Sequence, residues 1–264
     1  MTTIDERPVL VCRIECPPHM AEGVDEWMPK HFDDSLDHEA VTSVAAWRVV
    51  RDFDPGSGLP WVLNGHGNRF IVYVAHSLPP LLDWVDSPII RDAIEDGHDR
   101  ESAFPELDGE AFTGNIYEVT KVAHPLGADF AGPSLIFNER FEVGEDDQPE
   151  FVRWLEGEHL EALAGLPGVQ RVRTFRQYRD APKRFPYDRY TSKGNYMILA
   201  ELSIDVDPLE LARGSEFSAA LRDSVQWDVR LPYVRRELAV NHVLRDKADA
   251  ASTLDARRAE ADAG

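Results

Sequence analysis

Val41-Thr-Ser-Val-Ala-Ala-Trp-Arg-Val-Val-Arg-Asp52 returns 128 residues later as Val169-Gln-Arg-Val-Arg-Thr-Phe-Arg-Gln-Tyr-Arg-Asp180. Val41, Val44, Arg48, Arg51 and Asp52 recur as Val169, Val172, Arg176, Arg179 and Asp180, and Trp47 is answered by Phe175. At the same spacing His31 falls on His159. Further along, Phe70-Ile-Val-Tyr-Val-Ala-His-Ser-Leu78 matches Tyr196-Met-Ile-Leu-Ala-Glu-Leu-Ser-Ile204. Matches that keep one order along the chain mark an internal duplication.

Each copy reads the same way on either side of that stretch. An apolar run opens it, Val9 to Cys16 or Leu135 to Val143. A helical segment follows, near Ala21–Leu36 and Gln148–Ala164, with Glu26, Trp27, His31 and Asp34, or Phe151, Trp154, Leu155, His159 and Ala162, near helical spacing. Gly165-Leu-Pro-Gly168 stops the second of these helices. The quoted stretch is then a strand, followed by a Gly/Pro/aromatic-rich loop (52–68 or 180–194), a third strand (Phe70–His76 or Tyr196–Leu202), a helix (near 81–95 or 208–222) and a fourth strand (near 116–122 or 234–240). The order β-α-β-β-α-β, twice, is the split βαβ or ferredoxin-like unit. The third strand is apolar on both faces: Phe70, Val72 and Val74 on one, Ile71, Tyr73 and Ala75 on the other. A strand with one wet face would alternate. Helices can cover one face and the second copy's sheet the other, because exposed apolar surface costs about 25 cal/mol per Å². The sequence therefore predicts an α+β chain of two tandem repeats, 8–124 and 133–244, closing on each other as a barrel. A charged, Ala-rich tail (245–264) contains no core.

Glu26-Trp27-Met-Pro-Lys-His31 and Trp154-Leu-Glu-Gly-Glu-His159-Leu160, with Pro167-Gly168-Val169 and Arg176-Gln-Tyr178 after them, resemble the dimeric α+β barrel superfamily. The likeness is to its EthD-type and antibiotic-biosynthesis-monooxygenase branch. An aromatic residue followed four or five positions later by His marks the first helix there, before a Pro-Gly-Val stop and an Arg/Tyr-bearing strand. The first copy departs from the pattern, with Glu39-Ala40 where Pro-Gly would stand. The resemblance spans roughly residues 8–244. It implies the fold, but its members include oxygenases, cyclases, dehydratases, haem proteins and binders, so it does not fix a reaction.

Composition narrows the partners. The 264 residues carry 28 Lys and Arg against 48 Asp and Glu, a formal charge of −20, which is the wrong sign for neutralising nucleic-acid phosphates. No apolar run approaches the ~18 residues that span a bilayer, and the N-terminus shows no secretory signal. The two cysteines, Cys12 and Cys16, would stand about 13 Å apart on one strand, too far to bridge. A soluble cytoplasmic protein is the expectation. Gly65-His-Gly67-Asn-Arg-Phe70 lacks the third glycine of a dinucleotide loop, no Gly-x-Ser-x-Gly elbow is present, and His38-Glu39 has no second zinc histidine after it.

Chemistry then falls to a few side chains. His159 and His31 can move a proton near neutral pH; the resemblance implies a place at the rim of the helix–sheet cleft, and the plainer alternative is a helix histidine bonded to a neighbouring loop. Arg176 and Arg48 lie mid-strand, where a guanidinium either clamps a substrate carboxylate or enolate or pairs with a buried acid. Tyr178, Tyr196, Tyr73 and Tyr233 offer phenol hydroxyls to an oxyanion. Trp154, Asn138 and His76, which ends the third strand, are further candidate substrate contacts. The pocket of the second copy keeps the motif better. Trp61 and the aromatics Phe185, Tyr187 and Tyr190 would lid the openings. The expected ligand is a small hydrophobic or aromatic compound, and the leading expectation is a cofactor-independent lyase, dehydratase or cyclase. A cofactor-free monooxygenase and a non-catalytic binder are the alternatives. No metal is expected, a haem histidine is the minor cofactor reading, and the outer helices leave room for a homodimer.

Overall fold

The computed structural model describes residues 6–14, 18–53, 60–62, 68–90, 112–124, 135–178, 193–203 and 205–246. Cys16, the loop aromatics Phe185, Tyr187 and Tyr190, and nearly all of the tail lie outside them, as does the side chain of Trp61.

The first half runs β1 (Val9–Ile14), α1 (Ala21–Asp37), β2 (Val41–Phe53), a short β3 (Pro60–Val62), β4 (Arg69–Ala75), α2 (Leu78–Val85) and β5 (Phe112–Ala123). In the second half β6 (Leu135–Glu142) precedes a helix in three parts. These are α3 (Gln148–Trp154), a π turn (Leu155–His159) and α4 (Leu160–Ala164). Then come β7 (Val169–Gln177), β8 (Tyr196–Leu202), α5 (Pro208–Arg213), α6 (Ser215–Val225) and β9 (Tyr233–Asp246). The strands form one antiparallel sheet in the order β3-β2-β4-β1-β5-β7-β8-β6-β9, and β9 returns to pair with β2. Eight strands thus close a barrel, with β3 attached to the end of β2 (Arg51↔Val62).

The closure shows why both faces of the third strand are apolar. Within each half the second, third, first and fourth strands are neighbours, in that order. Each half's fourth strand then pairs with the other half's second strand: β5 with β7 (Tyr117↔Gln177) and β9 with β2 (Ala46↔Val243). Three cores result. Ile71 and Tyr73 face α1 and α2 with Trp27, Phe32 and Trp84. Phe137, Ile198 and Ala200 face the second half's helices with Trp154 and Trp227. Phe70, Val72, Trp47, Phe175 and Met197 fill the barrel interior. Fully burying each large side chain is worth about 1.5–3 kcal/mol relative to leaving it exposed, so neither half keeps its fold economically without the other's sheet.

Local signals place the helices. Val24, Trp27, Met28, His31, Phe32 and Leu36 form the buried stripe of α1 at three- and four-residue steps. Proline stands in the first turn of α2, where no backbone N–H is needed. Gly168 ends the second half's helical segment at φ +77, and a Cβ there would lie 2.3 Å from the Val206 side chain. Only glycine fits that turn.

Candidate active site

Each half carries a tryptophan stacked on a histidine beneath its first helix. Trp27 and His31 lie 4.5 Å apart and 10° from parallel; Trp154 and His159 lie 4.5 Å apart and 14° from parallel. The geometry is the same although the spacing is not. Four residues separate the first pair and five the second. An α-helix brings i and i+4 onto one face, so the extra residue would swing His159 off the indole. The π turn over Leu155–His159 absorbs it. Such turns occur mostly as single bulges and often at functional positions. In α1 the corresponding irregularity is Pro29, between the two rings.

The partners of the two histidines differ. His31 Nε2 meets the Tyr73 hydroxyl at 2.8 Å, and burial pushes the Tyr73 phenol well above its ordinary range, with Cys12 adding to the rise. His159 Nε2 meets Glu139 Oε2 in a close contact inside the protein, both side chains being fully buried. Glu139 comes from β6, whose odd-numbered residues face the helices. Its other oxygen accepts from Arg236 Nε at 2.7 Å. Arg236 also grips Asp228 through both terminal nitrogens, at 2.6 and 3.1 Å, and its Nε reaches Ser224 Oγ at 3.0 Å. Burial alone would raise the Glu139 pKa. His159, Arg236 and Ser224 together outweigh it and bring the carboxyl down to about 2.

A carboxylate on Nε2 makes that nitrogen the protonated one in the neutral ring and leaves the lone pair on Nδ1. His159 Nδ1 is buried and has no hydrogen-bond partner among the described residues, and the same holds for the indole nitrogens of Trp154 and Trp227. Those two indole rings lie 5.5 Å apart. The site is thus an aromatic nest with an ionic floor and three polar atoms unspent. In each helix histidine it is Nε2 that faces a protein group. Among the described residues no group of three or more His, Cys, Asp or Glu could hold a metal ion. A groove of about 230 Å³ lies elsewhere, between Leu166-Pro167 and the α5–α6 segment.

Of the side chains expected around His159, Trp154 is the one that the described residues bring to it. Tyr178, expected beside His159, packs instead against the first half's core, the cluster of Trp27 and Tyr73. The reason is the closure: β7 runs along β5, so its end reaches the other half's helices, with Tyr178 N–H donating to Ile116 O at 2.9 Å. Val50 crosses the opposite way onto the second half's core. Arg176 is exposed. Arg48 takes the structural option, donating to Asp25 Oδ2 at 2.8 Å beside the buried Arg69. Tyr196 is buried in the second half's core, its hydroxyl 3.3 Å from Gln148 Oε1. His76 is exposed just past β4. Asn138 points into the barrel interior, on the face of β6 opposite Glu139. Glu139, Arg236 and Asp228 were not singled out from the sequence. The signal for Glu139 was there, a charge in the middle of a strand whose ends are apolar.

No family profile matches the chain, and no curated protein matches it. Solved structures do. An anthrone oxidase-like protein superposes with a TM-score of 0.58 at 15% identity, over 93% of this chain and 95% of the other. A proposed monooxygenase of Fusobacterium nucleatum does so with a TM-score of 0.55 at 11% identity, over 92% and 95%. A haem-degrading enzyme of Listeria monocytogenes reaches a TM-score of only 0.40 at 7% identity over 89% and 99%, too loose to argue from. At these identities the likeness shows the fold. The chain has the α+β architecture of the dimeric α+β barrels, with both ferredoxin-like units in one polypeptide.

Proposed function

We propose that the protein is an enzyme of the dimeric α+β barrel type, related to its EthD-like branch, that moves protons on a small hydrophobic or aromatic compound in the cytoplasm. Its repeats, 8–124 and 133–244, are products of one duplication, and the second holds the working cleft. His159 is the acid/base, Glu139 holds its ring, and Trp154 forms the wall against which a flat substrate packs. The observation that carries this reading is the carboxylate-held, tryptophan-stacked histidine with a free Nδ1. General acid–base catalysis by such a group is worth about 10²–10⁴-fold. Elimination, dehydration or ring closure would follow from the same proton abstraction.

The likeness to the anthrone oxidase-like protein favours a second reading, cofactor-free oxygenation. There His159 removes a proton from an activated CH2, and the carbanion gives its electrons to O2. One oxygen atom ends as the new carbonyl and the other leaves as water, so CH2 plus O2 becomes C=O plus H2O.

The test is a panel of hydroxylated aromatic ketones, anthrone among them, followed by product chromatography and an oxygen electrode. Turnover without oxygen uptake supports the first reading, and turnover with stoichiometric uptake the second. Under either, His159→Gln lowers kcat by about 10²-fold or more. A folded His159→Gln protein with unchanged turnover would end both.

A further inference from the structure

The face of β6 turned away from His159 carries a second polar constellation, inside the barrel mouth. Glu237 of β9 is its centre. Arg13 of β1 reaches Glu237 Oε1 at 2.7 Å, and Arg235 Nε reaches the same oxygen at 2.8 Å. Asn138 Nδ2 donates to Oε2 at 3.1 Å. Arg235 also donates to Asp52 Oδ2 at 2.8 Å. Arg140 also forms an ion pair with Glu237, its Nη2 lying 3.7 Å from Oε2, a separation beyond hydrogen-bond reach.

The Arg140 side chain is 3% exposed and makes no hydrogen bond among the described residues, its Nε being buried without one. Beside it, the fully buried Asn138 has an Oδ1 to which nothing among the described residues donates. The half-buried Tyr233 faces Glu142 in the β6–β9 register, two residues along each strand from the Arg140↔Arg235 pair, and is coupled electrostatically to Arg140. Its hydroxyl also makes no hydrogen bond among the described residues. Gly194 closes over the arginine; a Cβ there would lie 3.2 Å from Arg140 Cβ. A buried guanidinium without hydrogen bonds is among the costliest arrangements in a protein interior, and its planar fork is shaped for a carboxylate.

We infer that the barrel mouth is a binding site for a small organic carboxylate, received by the Arg140 guanidinium and the Tyr233 hydroxyl. Asn138 Oδ1 is an acceptor, so it suits a hydroxyl next to the carboxylate. Val11, Phe70 and Phe175 belong to the apolar core on the same inward face, so the body of the ligand should be apolar or aromatic. A single negative charge is the limit, because Glu237 stands next to Arg140. The site shares strand β6 with Glu139 but not a face, so it is separate from the proposed catalytic nest.

The experiment is calorimetric titration of the purified full chain with benzoate, 2-hydroxybenzoate and sodium chloride. Saturable one-to-one binding is expected for both carboxylates, tighter for 2-hydroxybenzoate, with chloride weaker than either. Arg140→Met weakens benzoate at least about tenfold and Tyr233→Phe by a few fold, as loss of charged and neutral hydrogen bonds requires. His159→Gln leaves this binding unchanged, so a failure of the catalytic reading is separable from a failure here. Absence of binding by both carboxylates, chloride binding as tightly as benzoate, or equal binding by wild type, Arg140→Met and Tyr233→Phe would each overturn the inference.

Discussion

Glu139→Gln tests the ionic floor of the second half directly. The wild-type carboxyl lies at about 2, against 4.5 for the free group. A shift of about 2.5 units corresponds to roughly 3 kcal/mol of folding stability. The folded-state pKa is depressed, so the contribution is complete above the unfolded pKa and is lost as pH falls through the folded one. By linkage about 2 kcal/mol of it has gone at pH 3 and about 3 kcal/mol near pH 2. The amide keeps the shape and can still bond His159 and Arg236, but it carries no charge and does not titrate. Arg236 retains Asp228 as its counter-ion. Urea unfolding of both proteins at pH 7, 5 and 3 gives the comparison. At pH 7 the variant is less stable by about 2–3 kcal/mol, and the gap narrows by about 2 kcal/mol at pH 3. Taking the difference between the proteins cancels the other carboxylates. A gap below about 1 kcal/mol at pH 7, or one that does not change with pH, would refute the claim that His159 and Arg236 hold this carboxylate ionised.

Other outcomes follow from single contacts. Asp25→Asn takes the counter-ion from the fully buried Arg69 as well as from Arg48, and urea unfolding should show a loss of about 3 kcal/mol or more. Tyr73→Phe removes the hydroxyl on His31 and should cost about 1 kcal/mol by the same measurement, leaving turnover at His159 unchanged. Gly168→Ala forces a Cβ into Val206 at positive φ and should lower stability by about 2 kcal/mol or more, visible as a fall in melting temperature. Tyr178→Ala, a change in the second repeat, should protect the amides of α1 less in hydrogen exchange and leave those of α3 and α4 as they are, because the ring packs on the first half's core.

The barrel was legible because its evidence is periodic and repeated. A third strand apolar on both faces, present twice, leaves little choice but two sheets back to back, and β4 and β8 are buried along nearly their whole length. The placement of Tyr178 was not legible, since it depends on which strand β7 pairs with. The sequence separation between β5 and β7 is bridged by the closure of the whole barrel, and nothing local in Arg176-Gln-Tyr178 encodes it. The Asn138-Glu139-Arg140 run was half legible. Adjacent strand residues point to opposite faces, so a strand covered on both sides had to bury a charge on each. Two of the partners that receive them, Arg236 outward for Glu139 and Glu237 inward for Arg140, come from β9 almost a hundred residues away, and the third, His159, comes from the π turn.

The two halves provide an internal comparison. Both preserve a tryptophan–histidine stack at the same 4.5 Å, although one helix reaches it through an i, i+4 step containing proline and the other through a π turn. A π turn has poorer hydrogen bonding than an α-helix and is kept only where something else fixes the positions on either side of it. The ring stack is one such constraint, since one extra helical position would swing His159 off the indole. The turn also keeps the aim of His159 Nε2 at Glu139. In the first half the corresponding histidine nitrogen meets a phenol instead. The half whose helix tolerates the irregularity is thus the one whose histidine sits in an ionic network, and that coincidence is the reason to place proton chemistry there rather than at His31.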